Sequence, residues 1–169
     1  MKNFLDNYNF KGKNLFIEKI NQYSYEYVKK SLKKNKYDIF IPTYFDDYYL
    51  NYLNNTPFVL TVHDMINELY PNYFASTDNI PFIKKKLIQK ANKIIAVSEN
   101  TKIDILKFYP DTDPNLIEVI YHGFSMEIGE IDNKYQHILD TKYILFIGNR
   151  TTYKNFIWLI YTISEWVKD

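Results

Sequence analysis

The sequence predicts an α/β fold built on a doubly wound parallel sheet, and three observations carry that prediction. Short apolar runs at 58–62 (FVLTV), 93–97 (KIIAV) and 117–121 (IEVIY) have the length and β-branched content of buried strands. Each run gives way to polar or glycine residues, at His63, Ser98 and Gly123, as strands do where they leave a sheet at a ligand-facing rim. Stretches of helical periodicity alternate with these runs, which is the order of a parallel sheet with crossover helices.

Over 14–34 the apolar Ile17, Ile20, Tyr27 or Val28, and Leu32 recur at helical spacing. Lysines gather at the C-terminal end of that stretch, where they complement the helix dipole. Residues 38–41 (DIFI) form a short candidate strand that stops at Pro42. The aromatic and acidic stretch 45–52 reads as a packed connecting segment, with the lining of an acceptor pocket as its alternative. Turn-forming 54–57 (NNTP) then introduces the 58–62 strand.

Proline in the first turn opens a helix over 81–91. Its Lys84, Lys85 and Lys86 read as a solvated face, the sharper alternative being contact with a phosphate-bearing or membrane-associated acceptor. After the 93–97 strand, Ser98 is placed to cap a helix over 99–108, and Glu99 in its first turn complements the dipole. That helix start also suits an anion or a hydroxyl. Tyr109-Pro110 and Asp113-Pro114 end it before the strand at 117–121, and Gly123 beyond that strand reads equally as a simple turn.

The stretch 129–141 is polar and irregular and reads as a link. Beyond it a second strand and helix begin: 143–147 (YILFI) runs into Gly148-Asn149-Arg150, and a helix over 153–167 carries Phe156, Leu159 or Ile160, Ile163 and Val167 on one side. One strand and one helix cannot bury both faces, so this unit is expected to be incomplete or to dock on the first.

Composition removes several function classes. The 169 residues suffice for one domain with a real core. A net charge of +1, from 21 basic and 20 acidic side chains, leaves no global field to drive nucleic-acid binding. The absence of cysteine excludes disulfides and thiolate metal sites and fits a reducing, cytoplasmic location. Three scattered histidines argue against a metal cluster, so neither metal nor cofactor is expected. The opening residues lack a signal-peptide pattern, and no apolar run is long enough to span a bilayer.

Four stretches occur in a fixed order: TVHDMINELYP (61–71), KIIAVSENTKIDIL (93–106), IEVIYHG (117–123) and YILFIGNRTTYKNF (143–156). Together they resemble the group 1, family 4-like retaining glycosyltransferases, nucleotide-sugar enzymes of GT-B fold. The resemblance implies a partial, Rossmann-like GT-B N-terminal domain over 1–128 and a linker over 129–142. It further implies the start of a C-terminal nucleotide-sugar-binding domain over 143–169, with the chain truncated at both ends relative to the family. The implied activity is retaining transfer of a hexose, mannose among the options, from a nucleotide-sugar to a glycan or lipid-linked acceptor. The nucleotide-sugar is then a substrate and not a cofactor. Peripheral membrane contact, and a second chain supplying the C-terminal domain, are partner expectations of the same reading. The alternative is a non-catalytic remnant, or a subunit of a split glycosyltransferase. A third reading is an unrelated ligand-binding module of flavodoxin-like architecture.

The resemblance also assigns residues. His63 corresponds to the family histidine that meets the transferred sugar, and imidazole suits that place because it can accept, donate and handle a proton near neutral pH. Read without the resemblance, His63 is a loop histidine held by hydrogen bonds. Asp64 orders that loop, and Ser98, His122 and Gly123 line the cleft from adjacent strand ends, so that all four count as substrate-binding positions. Gly148, Arg150 and Lys154 are assigned the donor diphosphate. Arginine offers a planar fork of donors and lysine a compact charge, which is what a leaving diphosphate requires. The alternative for that pair is surface residues flanking a helix start.

Glu18 and Glu26 have the spacing of the family's glutamate pair but lie upstream of His63 on a lysine-rich helix, so they are not that pair. No second carboxylate accompanies Asp64, which argues against ordinary glycoside hydrolysis. Two departures stand out. Thr151-Thr152 replaces a frequent Gly-Gly and limits backbone approach to phosphate, and Asn67 replaces a frequent proline.

Overall fold

A computed structural model of the chain describes residues 11–125, 142–150 and 152–166. The chain divides into two compact units, one formed by Met1–Asp64 with Asn79–Ile120 and the other by Met65–Asp78 with Tyr121–Asp169.

The first unit holds the sheet. Helix α1, Lys13–Lys33, follows Gly12, whose φ of 86° lies in the left-handed region. Of the apolar positions expected to face inward, Leu32 is buried, Ile17 and Val28 are half-buried, and Ile20 and Tyr27 are exposed. The helix ends on Asn35, whose φ of 51° turns the chain and whose Oδ1 accepts from the buried Thr56 hydroxyl at 3.3 Å.

Strands β1 (Val59–Val62), β2 (Lys93–Ala96) and β3 (Ile117–Val119) form a parallel sheet in the order β1-β2-β3. Register sets Leu60 beside Ile94 and Ile94 beside Ile117, and these three side chains are all buried. Side chains on alternate residues point to opposite faces, so Leu60 and Val62 share the deeply buried face while Val59 and Thr61 on the other are half-buried. At the sheet's entrance Asn92 ties the strands together: its Oδ1 accepts from Phe58 N at 2.9 Å and its own N–H donates to Phe58 O at 3.0 Å.

The strand expected over 38–41 reduces to one parallel bridge, Phe40 to Phe58. Phe40 N donates to Pro57 O at 2.9 Å and Phe40 O accepts from Val59 N at 3.0 Å. The next rung of a parallel ladder would need an N–H from residue 42, and Pro42 has none, so pairing stops there. The ring of Tyr49, in the short helical turn Tyr48–Asn51, packs against Phe40 and Phe58 with centroids at 4.8 and 5.8 Å. The segment expected to be a packed connection is therefore part of the core, with Phe45 and Tyr49 buried and Leu53 buried just beyond it.

Helix α3, Ile80–Lys90, carries proline in its first turn as the sequence predicts and buries Lys84, Leu87 and Ile88. Helix α4, Glu99–Phe108, buries Thr101 and Ile105 and packs on β2 and β3. The burial of Lys84 corrects the reading of 84–86 as a solvated face: Lys85 is exposed and Lys86 half-buried, but Lys84 is 0% exposed.

The second unit contains the four-residue helix α2, Ile66–Leu69, the turn Pro71–Tyr73 and helix α5, Phe156–Trp166. Within it Asn67 Nδ2 donates to Asp78 Oδ2 at 2.6 Å, and the Tyr153 ring lies 6.5 and 6.1 Å from those of Tyr73 and Phe74. In α5 the stripe Phe156, Leu159 and Ile163 is half-buried, as its spacing predicts, while Trp158 and Tyr161 are exposed; Val167 lies outside the described residues.

The strand expected at 143–147 is absent: these residues belong to no sheet, and Ile144, Leu145 and Ile147 are exposed. An apolar, β-rich run becomes a strand only against a neighbour that takes up its backbone N–H and C=O groups, and the described residues of this unit offer no such neighbour. The linker expected over 129–142 lies outside the described residues apart from Lys142.

Candidate functional site

The parallel register brings the ends of β1 and β2 level, since Val62 is paired with Ala96. Val97 N adds a last, longer bond to Val62 O at 3.4 Å, and Ile120 N donates to Ala96 O at 3.0 Å. His63 and Ser98 thus leave the sheet at the same rim from adjacent strands, as the sequence reading requires. His63 is exposed there, while Asp64 and Ser98 are half-buried.

Ser98 has extended backbone angles and caps α4: its Oγ accepts from Thr101 N at 3.1 Å and lies 3.0 Å from Thr101 Oγ1. Satisfying a free amide at the helix start fixes its rotamer. Asp64 is held through its backbone, with its carbonyl accepting from Lys84 Nζ at 3.1 Å. Sequence reasoning overlooked Lys84, although a signal was available. Leu87 and Ile88, at i+3 and i+4, are apolar, so the helical period puts Lys84 on the inward stripe.

His122, Gly123, Gly148, Arg150 and Lys154 belong to the second unit. His122 and Gly123 are exposed, in irregular chain after β3. Gly148 has φ 149°, a conformation that residues with a side chain rarely adopt. The Arg150 guanidinium lies 5.3 Å from the Phe156 ring centroid, and that ring packs on Phe146 at 4.9 Å. Lys154 Nζ lies 5.1 Å from the Tyr153 ring. Both cations are exposed, and each is braced by an aromatic neighbour beside the start of α5, where a helix dipole favours anions. Thr151 lies outside the described residues.

The sheet unit also contains a cavity of about 180 Å³ lined by Val28, Phe40, Thr43, Asp46 and Tyr49 among others. Burial, and then the charge of Asp47, raise the Asp46 carboxyl above its ordinary value. Burial likewise pushes the Tyr49 phenol up, with Asp46 adding to the effect. Among the described residues the Tyr49 hydroxyl is buried with no hydrogen-bond partner. Also among the described residues, no group of three or more His, Asp or Glu could hold a metal ion, and no helix is long and apolar enough to cross a membrane.

Comparison with known proteins now adds to this geometry. Residues 6–127 match the sequence model of Glycosyltransferase Family 4. The chain belongs to glycosyltransferase family 4. Two relatives, each called alpha-maltose-1-phosphate synthase, come from Mycobacterium tuberculosis strains CDC 1551 / Oshkosh and ATCC 25618 / H37Rv. Each is 34% identical over 82 residues, covering 44% of this chain. The match spans only 20% of the length of either relative. The sheet that carries His63 and Ser98 lies wholly inside the family match, whereas Arg150 and Lys154 lie beyond it.

Proposed function

We propose that this family 4 chain takes part in retaining transfer of a hexose from a nucleotide-sugar to a glycan or lipid-linked acceptor. Its 1–128 portion is the Rossmann-like N-terminal domain of a GT-B enzyme, and 143–169 begins the nucleotide-sugar-binding domain. The observation that carries the reading is the level exit of His63 and Ser98 from adjacent parallel strands within the family match. Parallel sheets bind ligands at that rim, where side chains can converge without breaking the ladder.

Transfer breaks the bond between the anomeric carbon and the diphosphate, and the leaving oxygen takes the bonding electrons. The protein's task is to stabilise that charge and to orient the acceptor hydroxyl. In this reading His63 meets the sugar through a hydroxyl, with Asp64, Ser98, His122 and Gly123 completing the sugar and acceptor contacts. Arg150 and Lys154 take the diphosphate, with Gly148 allowing close backbone approach. The name of the relatives adds a sugar phosphate to the acceptors worth testing.

Calorimetric screening of nucleotide-sugars against the chain tests the reading. Binding of at least one donor is expected, with His63→Ala weakening binding of the sugar conjugate while sparing that of the matching nucleoside diphosphate. If no donor binds, or if His63→Ala leaves the sugar's contribution unchanged, the reading is wrong.

A further inference from the structure

Lysine occupies a position on α3 where the helical pattern calls for an apolar residue. Lys84, Leu87 and Ile88 share one face of the helix and are all buried, and Lys84 is 0% exposed. An ammonium in the interior is costly unless it is bonded there. Lys84 Nζ donates to Asp64 O at 3.1 Å and lies 4.9 Å from the centroid of the buried Phe45 ring. Two residues on, Lys86 Nζ meets Asp47 Oδ2 at 2.6 Å. One helix therefore grips both the 45–47 segment and the loop that leaves β1. A leucine or methionine at 84 would fill the same space but offer the Asp64 carbonyl no donor.

We propose that Lys84 is a positioning residue for the His63–Asp64 loop, an inference that rests on reading that loop as the sugar-facing part of the site. Asp64 is the last residue of the sheet unit before the chain leaves it at Met65. A free loop there would let the imidazole of His63 swing away from its place at the rim. Anchoring the Asp64 carbonyl from the core fixes the Asp64–Met65 peptide plane, one residue beyond His63, while the His63 side chain stays exposed to meet a hydroxyl. Lysine reaches this carbonyl from the core side, so the anchor takes up no space on the ligand side.

The test measures order in the loop and requires no sugar. In the 15N-labelled 169-residue chain, backbone order parameters of His63 and Asp64 should match those of Leu60 and Ile94, near the rigid value of about 0.85. In Lys84→Met, the His63 and Asp64 values should fall below about 0.6 while Leu60 and Ile94 keep theirs. Lys84→Arg should restore much of the loop's order, since it supplies donors on a long stem. An ordered loop in Lys84→Met, or an equal loss at Leu60 and Ile94, would overturn the proposal, the latter showing a merely structural lysine. If Lys84→Met does not fold, the unmodified chain decides. An ordered loop with slowly exchanging Lys84 ammonium protons supports the proposal, and a mobile loop or fast exchange refutes it. Because sugar binding is read separately by calorimetry, failure of the transferase reading leaves this result intact.

Discussion

Ser98 is assigned to the sugar, yet its oxygen already serves the fold, and substitution can separate the two roles. Ser98→Ala removes the acceptor for Thr101 N at 3.1 Å and the neighbour of Thr101 Oγ1 at 3.0 Å. Loss of a side-chain N-cap costs about 1 kcal/mol, within a range of roughly 0.5 to 2. Thr101 is only 7% exposed, so water cannot readily replace the lost partner of its hydroxyl, which adds about 1 kcal/mol. The expected total is about 2 kcal/mol, or a fall in melting temperature of roughly 4 to 8 °C for a chain of this size. Urea unfolding followed by circular dichroism should show the midpoint moving by about 1 M. Ser98→Asp keeps an acceptor for the amide and adds charge at the helix start, so it should recover most of the stability while placing a carboxylate where a sugar hydroxyl would sit. If donor or acceptor binding survives Ser98→Asp, Ser98 is a cap and nothing more. A Ser98→Ala variant within about 0.3 kcal/mol of the parent would refute the energetic reasoning itself.

Three further outcomes are expected. Tyr49→Phe removes a buried hydroxyl that lacks a partner and should stabilise the chain by roughly 1 to 3 kcal/mol in denaturant titration, whereas a loss above about 0.5 kcal/mol would contradict the burial argument. Asp46 has its carboxyl raised by burial and by Asp47 from an ordinary 3.8, so the folded chain holds this proton more tightly than the unfolded chain does. Stability from this group is therefore lost as pH climbs from 3.8 through the raised value, and Asp46→Asn should be the more stable protein at pH 7 and no different at pH 3, with the pH dependence of the melting temperature as the measurement. Arg150→Ala and Lys154→Ala should each weaken nucleoside diphosphate binding by about tenfold to a hundredfold, since a charge-assisted contact contributes roughly 1.5 to 3 kcal/mol. Unchanged binding in the calorimeter would remove both from the donor assignment.

The sheet was legible because local and tertiary demands agree there. The 58–62 and 93–97 runs are apolar, short and bounded by turn or capping residues, so propensity, pattern and burial point to one answer. Ser98 could be read as a cap because serine, a first-turn glutamate and an apolar period coincide. Two elements were misread where an outcome depended on something outside the local string. The 143–147 run has strand composition, but composition cannot supply a neighbour, and the run stays unpaired. Lys84 sits in a run of three lysines, which by composition signals a solvated surface. Consecutive helical residues point about 100° apart, so three in a row cannot share one face. The apolar pair at 87 and 88 decides which of them turns inward. Site geometry was legible only as far as strand ends define it: His63 and Ser98 follow from topology, whereas the anchor beneath Asp64 comes from a helix twenty residues away in sequence.

Three lysines of the sheet unit act as clips for backbone carbonyls. Lys84 donates to Asp64 O at 3.1 Å, Lys93 to Asn115 O at 2.9 Å and Lys102 to Ile117 O at 3.0 Å. All three carbonyls lie in or beside the strands and loops that frame the sheet, and a near-balanced net charge of +1 leaves little long-range attraction for partners to feel. The three bonds differ in consequence because they differ in burial. Lys93 and the Asn115 that it meets are both exposed, so water can take over that carbonyl after truncation and the loss should be small. Lys84 is 0% exposed, so its bond to the Asp64 carbonyl is made from inside the core, and truncation removes a contact that solvent does not reach from that side. A buried lysine is seldom the most stable choice for a helix face, since an apolar side chain of similar volume packs without the desolvation cost. Its bond to the Asp64 carbonyl is therefore better explained by the geometry it imposes on the rim than by stability, which is why substitution there should disorder one loop before it loosens the fold.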